Sequence, residues 1–123
     1  MGNILIIEDD VEVRELLTII LKRAGHTVTE AGDGRDGIHA FRTNQIDLII
    51  TDLIMPRQEG LETIVQLRQE FPNLKIIAIS GGNPGGKNNY LQAARLCGAS
   101  KTFIKPFENA EIIAAVAELL AEN

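Results

Sequence analysis

Two rhythms of apolar positions take turns along this chain. The first is a short, nearly continuous run of apolar or β-branched residues, which marks a strand buried on both faces. It occurs at Asn3–Ile7, Ile46–Thr51 and Leu74–Ile79, with a shorter run at Thr102–Ile104. Thr27–Ala31 is a more polar strand, and its composition predicts a sheet edge. The second rhythm is the 3.6-residue spacing of an amphipathic helix. Val13, Leu16, Leu17, Ile20, Leu21 and Ala24 form one apolar face, with Asp10 as N-cap and Gly25 as the stop. Asp33-Gly34 opens a second helix, with Ile38 and Phe41 inward, that ends near Asn44. Leu61, Ile64, Val65 and Leu67 mark a third, which Pro72 terminates. A loop rich in Gly and Asn, Gly81–Asn89, leads to a helix over about Tyr90–Cys97, closed by Gly98. Ile112, Ile113, Val116, Leu119 and Leu120 line the last helix.

Strand and helix therefore alternate five times, with short connections. This order predicts an α/β fold: a doubly wound five-stranded parallel sheet, (βα)5, flavodoxin-like, with strand order 2-1-3-4-5. The 123 residues are expected to form a single domain around one core. Twelve Lys and Arg against 17 Asp and Glu give a net charge of −5, which argues against direct binding of nucleic acid or an anionic membrane. No apolar run approaches the roughly 18 residues a membrane helix needs. The start, MGNILII, enters a strand without signal-peptide anatomy, and Cys97 is the one cysteine, so a cytoplasmic location is expected.

In open parallel sheets, ligands bind beyond the carboxyl ends of the strands. The first strand ends in Glu8-Asp9, the third in Asp52, the fourth in Ser80 and the fifth in Lys105. Taken alone, Asp52 is read equally well as a helix N-cap. The predicted strand order sets these four ends side by side, and chance placement of all four groups is hard to credit. Three crowded carboxylates repel unless a cation joins them. Mg²⁺ suits them, because it takes a few carboxylate oxygens and shares its shell with phosphate. An Asp carboxylate is also a competent nucleophile toward a phosphoryl group. The metal, the Ser80 hydroxyl and the Lys105 ammonium would neutralise the phosphoryl oxygens. The implied chemistry is phosphoryl transfer to Asp52.

Together, ILIIEDD near the start, DLIITDLIMP in the middle, IIAIS after the third helix and FIKPF before the last resemble the receiver domains of bacterial two-component response regulators, in particular the single-domain chemotaxis-type regulators. The resemblance spans the whole chain. It implies that Asp52 is the phosphoacceptor and that Asp9 and Asp52 bind Mg²⁺ directly. Glu8 would act through water, and the main-chain carbonyl of Ile54 would complete the set. Ser80 is then the switch hydroxyl, Lys105 the phosphate-binding lysine, and Lys105–Pro106 a cis bond. The implied partners are a histidine kinase or histidine phosphotransfer protein and a downstream protein target, with the chain a monomer or a phosphorylation-dependent dimer. It is expected to be no enzyme beyond catalysing its own phosphorylation and dephosphorylation. Because the sequence ends directly after the last helix, it is expected to be either a stand-alone regulator or a piece of a longer protein.

Two departures from the family pattern bear on output. Receivers commonly carry an aromatic residue three positions before the lysine, and here Thr102 stands there with Phe103 beside it. The loop after Ser80, GGNPGGKNN, is long and glycine-rich. The expected moving element is therefore Gly81–Asn89 with the start of the next helix, and partners are expected to read the α4-β5-α5 face formed by the last two helices and the fifth strand. The same loop matches G-x-x-x-x-G-K, the frame of a P-loop, but Asn88 stands where a metal-binding Ser or Thr is required, so nucleotide binding is not expected. A degenerate receiver serving only as a binding module is disfavoured by the complete acidic set. His26 and His39 are read as surface residues, Cys97 as a packing residue, Asp10 as a cap and Met55-Pro56 as turn structure, with Asp47 at the wrong end of the sheet for the site.

Overall fold

Five short strands, β1 (Asn3–Ile7), β2 (Thr27–Ala31), β3 (Leu48–Asp52), β4 (Lys75–Ser80) and β5 (Lys101–Ile104), pair in parallel in the order β2-β1-β3-β4-β5. They belong to a computed structural model that describes residues 2–53, 60–81 and 94–122. The helices are α1 (Val11–Arg23), α2 (Gly34–Thr43), α3 (Gly60–Glu70), α4, of which residues 94–97 are described, and α5 (Asn109–Ala121). The doubly wound order expected from the alternation of elements is the order adopted.

Alternation along each strand divides the core into two layers. Leu5, Ile7, Ile49, Ile76 and Ala78 pack with Ile38 of α2, Ile64 and Leu67 of α3, and Ala94. Ile4, Ile6, Leu48, Ile50, Ile77 and Ile79 pack with Leu17, Ile20 and Leu21 of α1 and Ile112, Val116 and Leu119 of α5. Both faces of the sheet are thus covered, which is why its central strands read as unbroken apolar runs. Each such side chain contributes about 1.5–3 kcal/mol on burial. That leaves the connections at the strand ends free to carry polar chemistry.

The helix ends follow local rules. Asp10 Oδ1 accepts from the Glu12 and Val13 amides at 3.0 and 3.3 Å and caps α1. Asp33 Oδ1 accepts from the Asp36 amide at 2.8 Å and caps α2. Gly25 takes a φ of 99° past the end of α1, a conformation that favours glycine.

Some boundaries and faces differ from expectation. β3 starts at Leu48 rather than Ile46, because Asp47 pairs off at its start: its amide donates to Asn3 O at 2.7 Å and its Oδ2 accepts from the Asn3 amide at 2.8 Å. β3 ends in Asp52, as the sequence predicts, and Asp52 pairs there with Ile79. Leu16, read as part of the apolar face of α1, is 40% exposed, and Val65 of α3 is 37% exposed. His26 is half-buried rather than on the surface, and its Nδ1 accepts from the Gly2 amide at 3.2 Å.

Candidate functional site at the carboxyl ends of the strands

The sheet brings Glu8, Asp9, Asp52, Ser80 and Lys105 to one end, each by its own local device. Glu8 is the first residue past β1. Its amide donates to Ala31 O at 3.0 Å, extending the pairing with β2 by one step. Its side chain turns inward, with Oε2 accepting from the Asp10 amide at 3.1 Å, and the residue is 1% exposed. Asp9 follows and is exposed. Asp52 closes β3 and is buried. The first residue of α3, Gly60, passes close against it: a Cβ at this position would overlap the Asp52 carbonyl and Leu53 Cα. Ser80, also buried, closes β4, and its hydroxyl donates to Gly81 O at 3.2 Å. Lys105 follows β5, its amide donating to Ser80 O at 2.8 Å, and its bond to Pro106 is cis.

From that position the Lys105 ammonium reaches back over the sheet end. Nζ lies 2.6 Å from Glu8 Oε1 and 3.4 Å from Asp52 Oδ2. Burial pushes the Glu8 carboxyl up to about 7, and repulsion from Asp52 adds to the rise, while Lys105 and the Asp10 amide oppose it. Burial works against the charged form of Lys105, but Glu8 and Asp52 outweigh it and raise its pKa. The ammonium therefore stays charged, while Glu8 is close to half-protonated near neutrality. One ammonium does not balance three carboxylates.

The carboxylate arrangement fits a small hard cation. Among the described residues, Glu8, Asp9 and Asp52 each bring an oxygen within 4.8 Å of the others. A hard cation such as Mg²⁺ takes a few carboxylate oxygens of this kind and keeps several waters, so these three residues would suit it. Glu8 Oε1 is buried and paired with Lys105, and a carboxylate oxygen has a second lone pair with which to accept a metal-bound water.

Ile54, assigned a carbonyl ligand from the family resemblance, lies outside the described residues, as do Met55-Pro56. So do residues 82–93, which hold most of the glycine-rich loop, the predicted start of α4, and the Lys87-Asn88 pair on which the nucleotide reading turned. Thr102 is not at the carboxylate cluster. It lies in β5 opposite Ala78, where Oγ1 accepts from Arg95 Nε and Nη2 at 3.3 and 3.2 Å. Phe103 packs in the other layer, against the α1 and α5 side.

Two positions next to the site carry no signal in the sequence. Gly60 had no local turn signature to betray the close approach. Arg14 was passed over as a polar position of α1, yet its Nη1 donates to the Glu8 carbonyl at 2.8 Å. None of the helices among the described residues is long and apolar enough to cross a membrane.

A model of the family described as the response regulator receiver domain matches residues 4–117. The chain is 34% identical over 124 residues to the DNA-binding transcriptional regulator NtrC of Azospirillum brasilense, covering 99% of this chain and 25% of that protein. It is 30% identical over 118 residues to the chemotaxis protein CheY of Thermotoga maritima, covering 94% of this chain and 96% of that one. Among solved structures, the response regulator TrrA of Thermotoga maritima in complex with Mg(2+)-BeF superposes with a TM-score of 0.84 at 28% identity, covering 97% and 99% of the two chains. The chain spans a quarter to a half of the length of the first curated relatives it matches.

Proposed function

Because the chain belongs to the response regulator receiver domain family, we propose that it is a phosphoacceptor in which Asp52 takes a phosphoryl group from the phosphohistidine of a histidine kinase or histidine phosphotransfer protein, in a Mg²⁺-dependent step. An Asp52 oxygen forms the new bond to phosphorus as the phosphorus–nitrogen bond breaks. The imidazole leaves with the bonding pair and takes up a proton, and Asp52 becomes an acyl phosphate. Water later cleaves that acyl phosphate, returning the carboxylate and releasing phosphate. Self-phosphorylation and its reversal are the only catalysis assigned to the chain.

In this reading Asp9 and Asp52 hold Mg²⁺ directly, Glu8 holds it through water, and the Ile54 carbonyl contributes a ligand. Bound metal supplies positive charge to the phosphoryl oxygens and fixes their position. Lys105 pairs with Glu8 and Asp52 before transfer, then turns its ammonium to a phosphoryl oxygen. The Ser80 hydroxyl leaves Gly81 O and donates to another. The observation that carries the reading is the 2.6 Å and 3.4 Å reach of one ammonium to two buried carboxylates, at strand ends that the topology makes adjacent.

The phosphoryl group brings about −1.5 to −2 charges and three strong acceptors. Charge-assisted hydrogen bonds contribute about 1.5–3 kcal/mol each. Two new ones, from Ser80 and Lys105, approach the ~5.5 kcal/mol that takes a two-state element from 1:99 to 99:1. The output is read on the α4-β5-α5 face by a downstream protein in the cytoplasm, by the monomer or by a phosphorylation-dependent dimer. Thr102 belongs to that face and stands where receivers carry the aromatic of the switch. The DNA binding named for NtrC is said of a protein of which this chain covers 25%.

Phosphate-affinity gels test the assignment with acetyl phosphate as donor. Wild type is expected to shift only with Mg²⁺ present, and Asp52→Asn is expected not to shift. Equal labelling of both proteins, or labelling indifferent to EDTA, would overturn it.

A further inference from the structure

We propose that Arg14 is a positioning residue for the acidic site, its guanidinium fixing the peptide that carries the Glu8 and Asp9 carboxylates; the inference rests on the metal-site reading above. The pairing of β1 with β2 ends at the Glu8 amide, and among the described residues no backbone amide donates to the Glu8 carbonyl. Arg14 Nη1 donates to it at 2.8 Å. The Glu8 carbonyl and the Asp9 amide belong to a single planar peptide. A donor that fixes the carbonyl therefore also sets the direction in which Asp9 leaves the strand.

Arg14 is itself held at several points. Its amide donates to Asp10 O at 2.9 Å, and its carbonyl accepts from Thr18 Oγ1 at 2.8 Å. Its Nε lies 3.4 Å from Glu30 Oε1 on β2, and its side chain is 22% exposed. A Cβ at Gly32 would come 3.4 Å from Nη1, so the neighbouring loop also closes on the guanidinium. The charge of Arg14 is thus answered by Glu30, at the sheet edge, while its fork spans an acceptor on β1 and another on β2. That geometry suits a planar guanidinium and not a single ammonium.

Partners of metal ligands that lie outside the ligand shell typically change metal affinity by about 10–100-fold when removed. The probe is Mn²⁺, with the free ion counted by electron paramagnetic resonance at 25 °C for wild type, Arg14→Ala, Arg14→Lys and Asp9→Asn. Melting of each metal-free protein is measured alongside. Arg14→Ala is expected to bind Mn²⁺ at least about tenfold more weakly, and Arg14→Lys, whose compact ammonium does not span both acceptors, at least about threefold. A residue that served stability alone would lower the melting temperature yet leave the affinity of the folded protein unchanged. Affinity of Arg14→Ala within twofold of wild type, while Asp9→Asn loses binding, overturns the role of Arg14 and leaves the metal site standing. If Arg14→Ala does not fold, wild-type affinity in Arg14→Lys overturns it equally. Absence of Mn²⁺ binding by wild type, or binding indifferent to Asp9→Asn, instead overturns the metal site and the inference with it.

Discussion

Replacing Glu8 by Gln should stabilise the metal-free protein above neutral pH. The Glu8 carboxyl titrates near 7 in the fold, against an ordinary value of 4.5, first because it is buried and then because Asp52 repels its charge. Between those two values the native state keeps a proton that the unfolded chain gives up. Stability therefore falls as pH rises from 4.5 to 7 and levels off above it. At about 1.4 kcal/mol per pH unit, the window is worth roughly 3 kcal/mol, with little discount for solvent. The residue is 1% exposed. Gln keeps an oxygen for the Asp10 amide but gives up the Lys105 ion pair, and Lys105 retains Asp52 at 3.4 Å. The expected net gain at pH 8 is therefore about 1–3 kcal/mol, and near zero at pH 5, where Glu8 is already protonated. In the wild type, the raised pKa of Lys105 places its own loss of stability above 10.5, outside this window. Urea denaturation in EDTA reads the effect as an upward midpoint shift on the order of 1 M at pH 8, given m-values of about 1–3 kcal/mol/M. Excess Mg²⁺ should narrow or reverse the gap, since it stabilises the protein with the more complete site. A difference between the two proteins that does not grow between pH 5 and pH 8 would refute the reasoning.

Gly60→Ala should destabilise the fold by about 1–3 kcal/mol or more, because the new Cβ meets backbone at Asp52 and Leu53 rather than a side chain that can turn away; thermal melting checks it. Asp10→Ala removes the α1 cap and should cost about 1 kcal/mol in urea denaturation, with phosphorylation of Asp52 retained. Thr102→Ala loses only exposed contacts to Arg95, so its stability should change by less than about 0.5 kcal/mol. With beryllofluoride and Mg²⁺, amide exchange is expected to change within residues 81–89 and to stay constant at Thr102 and Phe103. The opposite pattern would restore a toggle at the Thr102 position.

The sequence by itself determined the order of elements and which polar groups stand at the strand ends. Its signals there are local: apolar runs bounded by Asp52, Ser80 and Lys105, and caps such as Asp10 and Asp33, each of which acts within a few residues of itself. The identity of the acidic set followed from the strand order, because a doubly wound sheet leaves few ways to arrange five parallel strands. Tertiary structure alone decided what depends on approach between distant segments. The ionisation of Glu8 comes from its burial together with the reach of Lys105, 97 positions along the chain, and no local pattern encodes it. Gly60 is required because α3 begins against the backbone of β3, a clash visible only once the helix is in place. Arg14 reads as an ordinary polar helix position until α1 packs on the sheet and sets its guanidinium under the Glu8 carbonyl. The two-residue period of β5 separates Thr102 from Phe103, and only the packed layers show that Phe103 belongs to the side of α1 and α5 while Thr102 meets α4. Periodicity reports which residues share a face, and packing decides what that face meets.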